Sequence, residues 1–146
     1  MQAHEVTIRP ARPDDDAIIK QMVWQARLDP TSLKWQNFLV AEHNGEIAGI
    51  GQVKPHADCR ELGSLVTKGS YRGQGIASQI IDALQQNARF PLYLMCAAQM
   101  EAFYQGFGYQ RISWWAAPRT LKLKLAPAIL FRIVGIRVLV MCKTGL

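Results

Sequence analysis

Two glycines and an arginine at positions 72 to 75 constrain this chain more than any other feature. Arg72-Gly73-Gln74-Gly75 stands between an apolar run, Leu65-Val66-Thr67, and a stretch of helical periodicity. In that stretch Ile76, Ala77, Ile80, Ile81 and Leu84 share one side, and Ser78, Gln79, Asp82, Gln85 and Gln86 share the other. The pattern predicts a strand, a tight loop and a helix. Leu92 to Cys96 reads as a second buried strand. A helix joins it to its predecessor, so the two are expected to run parallel in one sheet. Glycines let the backbone turn sharply and let a ligand come close. The free N–H groups and positive dipole of a helix start bind anions such as phosphate, and Arg72 adds a planar donor fork. The loop has no Gly-Lys-Ser/Thr, which excludes a Walker A site, and Ser78 stands where the dinucleotide fingerprint needs a third glycine.

The rest of the chain supplies further elements. Val6 to Arg9 alternates as a strand, ended by Pro10 and Pro13. Asp14, Asp15 and Asp16 open a helix, where carboxylates cap free N–H groups. Ile18, Ile19, Met22, Val23 and Ala26 form its expected apolar stripe, and a short second helix is expected over 31–36, anchored by Trp35. Phe38 to Glu42 and Ile47 to Lys54 flank Asn44-Gly45, a strong hairpin signal. Gly49 and Gly51 thin the second of these strands and suggest a bulge or bend. A short helix over 99–106 and a strand over 109–114 follow. The 116–146 tail reads as a helix and a closing strand, Ile136 to Cys142, completing a single domain over 1–146. Arg132, Arg137, Pro127 and Gly135 interrupt the apolar tail, which argues against a membrane span.

At 146 residues and 49% hydrophobic content, the chain suffices for one proper core. Its net charge of +6 suits an anionic partner, and no nucleic-acid motif appears. Cys59, Cys96 and Cys142 are well separated and odd in number, without zinc spacing. Free thiols and the absence of a signal-peptide core predict a cytoplasmic protein.

The spelling Arg-x-x-Gly-x-Ala at 72–77 resembles the acetyl-CoA signature of the GNAT superfamily of N-acetyltransferases. Phe103-Tyr104-Gln105-Gly106-Phe107-Gly108-Tyr109 is similar to a downstream segment of the same family. The resemblance spans residues 5 to 115. It implies a mixed α/β sheet of six or seven strands flanked by helices, with acetyl-CoA as cosubstrate. By the resemblance, backbone N–H groups of Leu65, Val66 and Thr67 meet the thioester and pantetheine arm. Arg72, Gly73, Gln74, Gly75, Ile76 and Ala77 hold the phosphates, Tyr104 protonates the sulfur, and Glu61 is the base. Two positions depart from the family pattern. Gly69 replaces a frequent proline, and Ala97 and Met100 replace an asparagine and an alanine near the cofactor arm.

Acetyl transfer to an amine needs a base, because an amine with a pKa of about 10.4 is protonated at neutral pH. It also needs N–H donors for the carbonyl oxygen and an acid for the departing thiolate. His56 and Asp58 are alternative bases. Cys96 reads as a buried strand thiol rather than a nucleophile, so transfer is expected to be direct. The expected acceptor is a primary amine of a small molecule, an amino acid or a peptide. A faint resemblance to the acetyltransferase domain of N-acetylglutamate synthases adds an amino-acid acceptor as one reading. A non-catalytic acyl-CoA-binding regulatory module and a membrane-surface protein acting through the basic tail are competing classes. The apolar tail also leaves room for a homodimer.

Overall fold

The computed structural model describes residues 4–124 and 137–146. Seven strands lie in one hydrogen-bonded sheet of order β1-β2-β3-β4-β5-β7-β6. They are β1 (Thr7–Pro10), β2 (Phe38–His43), β3 (Glu46–Pro55), β4 (Arg60–Thr67), β5 (Leu92–Ala97), β6 (Gln110–Ile112) and β7 (Val138–Lys143). Among the described residues, α1 (Asp16–Gln25), α2 (Ile76–Gln86) and α3 (Glu101–Gln105) flank them. The mixed α/β class and the strand count expected from the sequence are those observed.

The chain divides into two compact units. The first comprises Met1–Lys54 and Leu62–Ala88. Its β1 and β2 are antiparallel, as are β2 and β3. Asn44 and Gly45 take positive φ (48° and 77°), as the tight hairpin turn requires. The register slips between Ala41 and Glu42, so Ala48 is the extra residue of a bulge. Its carbonyl accepts from the Lys68 N–H at 2.8 Å, which ties the bulge to the end of β4.

Side chains alternate along β3 and send helices to opposite faces. Ile50 joins Ile19, Met22 and Val23 of α1 with Phe38 and Val40 in one core cluster. Gly49 and Gly51 point the other way, under α2. A Cβ on Gly51 would sit 2.8 Å from Ile80 Cγ2 and 3.0 Å from Leu65 Cδ1. The bulge expected near these glycines is there, and the thin face is where a helix settles. Ile18 departs from the expected stripe of α1 and is exposed, while Trp35 packs against the cluster. The short helix expected over 31–36 is instead a 3-10 turn at Trp35–Asn37. Asp29 Oδ1 accepts from both the Thr31 N–H and hydroxyl and folds that stretch as a side-chain-capped turn.

The second unit comprises Pro55–Glu61 and Arg89–Leu146. Glu61 of β4 pairs in parallel with Tyr93 of β5. The closing strand β7 inserts between β5 and β6, antiparallel to each. Residues 119–124 are helical. The remainder of the helix expected in the tail lies outside the described residues.

Candidate functional site

In the first unit, β4 delivers the chain to the glycine loop. Gly73 and Gly75 both adopt left-handed φ (77° and 78°), which side chains resist and glycine takes freely. Gly75 is the N-cap of α2, and the first bond of the helix runs from Gln79 N–H to the Gly75 carbonyl at 3.1 Å. Ile76, Ala77 and Ser78 thus carry the orphan N–H groups of a helix start.

The end of β4 and the loop border a cavity of about 890 Å³. Val66, Thr67, Lys68 and Arg72 line it with Arg12 and Met22 from the α1 side. Arg9, also at its wall, is committed to Asp15 at 2.8 Å and Glu42 at 3.4 Å. That ion pair, with a hydrogen bond from the Arg12 N–H, holds the Asp15 carboxyl below the usual carboxylate range despite its burial. Lys68 pairs with Glu46. Arg12 and Arg72 form no ion pair among the described residues; Arg72 Nε reaches only the Thr67 carbonyl, at 3.4 Å. Arg12 and Arg72 thus bring two guanidinium groups to a cavity that Asp14, Asp15, Glu42 and Glu46 also line, and the start of α2, the other set of anion donors, follows Arg72 in the chain. Arg12 belongs to no motif, and nothing in the sequence singled it out.

The loop is braced from outside. The His4 N–H and ring Nδ1–H donate to Gln74 Oε1 at 2.7 and 2.8 Å. The His4, His43 and Tyr71 rings meet edge to face at 4.7 to 5.7 Å, and the Tyr71 hydroxyl donates to Glu46 at 3.2 Å.

A second feature escaped the sequence reading. Ser64, inside β4, has φ of 52°, a strained conformation for a side-chain-bearing residue. Gln52 Nε2 donates to Ser64 Oγ at 2.9 Å and to the Ser32 carbonyl at 3.2 Å. The buried Lys54 Nζ reaches Asp29 at 3.0 Å and the Thr31 carbonyl at 3.1 Å. The available signal was polar residues 52 and 54 in phase with apolar Ile50.

The second unit holds the titratable candidates. Glu61 is only 4% exposed. Its Oε1 accepts from His56 Nε2 at 2.8 Å and from Lys124 Nζ at 2.9 Å. Two of the three candidate bases are thereby joined in one buried group. Asp58 is elsewhere engaged. It caps the 119–124 helix by accepting from the Thr120 N–H (3.1 Å) and hydroxyl (2.6 Å). Tyr104 lies on α3, its ring 5.1 Å from that of Phe103 and 6.2 Å from that of Tyr109. Burial, with a smaller effect of Cys96, pushes its phenol up to about 12, so it carries its proton throughout the neutral range. Burial likewise pushes the Cys96 thiol up to about 11, which suits a structural thiol rather than a nucleophile. No group of three or more His, Cys, Asp or Glu among the described residues is placed to hold a metal ion.

Residues 34–111 match the family model described as an acetyltransferase (GNAT) domain. The acetyltransferase fold recurs in N-acetylglutamate synthase from Neisseria gonorrhoeae, solved with coenzyme A and N-acetyl-glutamate. The likeness is at TM-score 0.74 and 18% identity, over 98% of this chain and 36% of that one. The Mycobacterium tuberculosis protein Rv2747, solved with CoA and NLQ, is similar at TM-score 0.72 and 20% identity, over 96% and 99% of the two chains. An N-acetyltransferase from Staphylococcus aureus Mu50 is similar at TM-score 0.60 and 19% identity, over 73% and 92%. The chain therefore spans about a third of the length of the Neisseria synthase. No curated protein matches by sequence.

Proposed function

For a chain that belongs to the GNAT acetyltransferase family, we propose an acetyl-CoA-dependent N-acetyltransferase that passes the acetyl group directly to a primary amine. The observation that carries this reading is the glycine loop. Gly73 and Gly75 in left-handed conformation open α2 next to Arg72, which with Arg12 lines a cavity and forms no ion pair among the described residues. The diphosphate of acetyl-CoA is the anion this arrangement suits. Backbone N–H groups of Leu65, Val66 and Thr67 receive the pantetheine arm and the thioester. Arg72, Gly73, Gln74, Gly75, Ile76 and Ala77 receive the phosphates.

In the reaction the amine nitrogen attacks the thioester carbonyl carbon and its C–S bond breaks. Glu61 takes the proton the amine sheds, directly or through water. Its bonds from His56 and Lys124 fix the carboxylate in place. Tyr104 gives its proton to the departing thiolate. A phenol held near 12 still has a proton to give at neutral pH. Cys96 takes no part.

Among acceptors, an amino acid is favoured by the fold likeness to the Neisseria synthase across 98% of this chain. Lys54 and Gln52, buried beneath the 29–32 turn, supply polar groups in the region the family uses as the acceptor wall.

The test is thermal stability with acetyl-CoA. A ligand at a hundred times its dissociation constant adds about 2.7 kcal/mol. Gly75→Trp places a bulky side chain at φ of 78° on the helix start and is expected to abolish the shift. Arg72→Ala, which strains nothing, is expected to weaken binding about five- to tenfold, with the difference shrinking as salt rises. Full acetyl-CoA affinity in both variants would remove the loop from the site.

A further inference from the structure

The charge of this protein is not evenly spread. The glycine-loop unit carries eight basic and eight acidic residues, and the other carries nine basic and three acidic. The net charge of +6 therefore belongs to the second unit. Beyond Glu101 there are seven Lys and Arg and no acidic residue at all. A phosphate site in the neutral unit leaves this excess without a role.

Exposed apolar side chains gather where the charge does. Trp114 and Trp115 follow β6 with their rings edge to face at 4.8 Å. Lys122 Nζ lies 5.4 Å from the centre of the Trp114 ring, bringing the 119–124 helix against the tryptophan pair. Trp115 is 79% exposed, Leu123 66% and Trp114 37%. Arg111 and Arg119 are exposed beside them in sequence. The helix is fixed from behind, since Leu121 is fully buried and Asp58 and Glu61 hold Thr120 and Lys124. The patch is thus presented on a firm support.

We propose that this patch docks the protein on an anionic bilayer surface. Tryptophan settles at the boundary between water and hydrocarbon. Lys and Arg bury their stems while their heads stay among phosphates, and an anionic leaflet attracts each of them. A second copy would bring one positive patch against another in an isologous contact, which repels. A nucleic acid satisfies the charges but not Leu123. The docking is peripheral: among the described residues no helix is long and apolar enough to cross a membrane.

The experiment is flotation of the full chain with vesicles of phosphatidylcholine alone or with roughly 30 mol% phosphatidylglycerol, at about 50 and 500 mM salt. Binding is expected only to the anionic vesicles and only at low salt. Arg119→Gln with Lys122→Gln is expected to lower the partition coefficient about twenty-five-fold, about fivefold for each charge. Trp115→Ser is expected to lower it with an unchanged melting temperature. Trp24→Ser, a change at a tryptophan 77% exposed in the other unit, is expected to leave it as it was. No flotation at low salt overturns the proposal. So does an equal loss in the Trp24 and Trp115 variants, a dimer that dissociates on Trp115→Ser, or binding to an oligonucleotide but not to vesicles.

Discussion

Gly51→Ala sets two effects against each other. In a strand, Ala is better than Gly by about 0.5 to 1 kcal/mol, because the unfolded chain loses freedom. Here the added carbon would lie 2.8 Å from Ile80 Cγ2, 3.0 Å from Leu65 Cδ1 and 3.3 Å from Leu84 Cδ1. Comfortable carbon contacts lie at about 3.5 to 4.0 Å, so the closest pair is short by roughly an ångström. Ile80 is fully buried and β-branched in a helix, where a single χ1 rotamer dominates. Its Cγ2 moves only if that rotamer is abandoned or α2 shifts. Overpacking of this kind costs about 1 to 3 kcal/mol, which outweighs the gain. The net expectation is a loss of about 1 to 2 kcal/mol, or about 3 to 6 °C in melting temperature for a chain of this size. Gly69→Ala is the control. Its Cβ would meet nothing within 4 Å, and it is expected to be neutral or slightly stabilising. Scanning calorimetry or urea titration reads both. A double-mutant cycle with Ile80→Ala tests the cause: that change should cost at least about 1 kcal/mol less in the Gly51→Ala background. A Gly51→Ala protein as stable as the parent, or strict additivity in the cycle, would refute the reasoning.

Tyr104→Phe is expected to lower kcat by about 10² to 10⁴ while leaving acetyl-CoA affinity unchanged, read by turnover and titration calorimetry; parental turnover would remove Tyr104 from the chemistry. Alkaline pH is expected to destabilise the fold through its thiols. Burial raises Cys59 and Cys96 from 9.0 to about 11, so above pH 9 the unfolded chain releases protons that the folded chain keeps. Stability is complete below pH 9 and falls between 9 and 11, by at most about 1.4 kcal/mol per pH unit for each thiol. Urea midpoints from pH 8.5 to 10.5 should decline less steeply in a Cys59→Ala/Cys96→Ala protein, and an equal slope would exclude these thiols as the cause.

The regular elements were legible because periodicity survives in the sequence. The α2 stripe, the Asn44-Gly45 turn and the parallel β4–β5 pair all follow from local pattern and chain connectivity. The glycine loop was legible for the same reason, since its conformation is written in residues 73 and 75. What stayed hidden depends on distant partners. Ser64 adopts a left-handed conformation supported by Gln52, twelve residues earlier, and no turn residue marks it. Glu61 was expected as the base from the resemblance, but the side chains that enclose it, His56 and Lys124, the latter 63 residues away, were not. Gln85 read as part of the polar face of α2 and is buried. Arg12 reaches the cavity only because β1 and α1 fold beside the end of β4. The placement of β7 between β5 and β6 is topological, and side-chain alternation alone leaves that order open.

That placement has a mechanical consequence. β6 ends at Ile112 and β7 begins at Val138, and the Trp114–Leu123 patch follows directly on β6. Ile112 lies opposite Val140 of β7, and Val138, the first residue of β7, lies opposite Ala97 of β5. A pull on the patch is therefore divided between two ladders of unequal length. Six residue pairs join β7 to β5, and three join it to β6. Loaded along the strands, the shorter seam yields first. β6 would peel away while β7 stays seated on β5, so that traction on the patch spares the strand beside Cys96 and Tyr93.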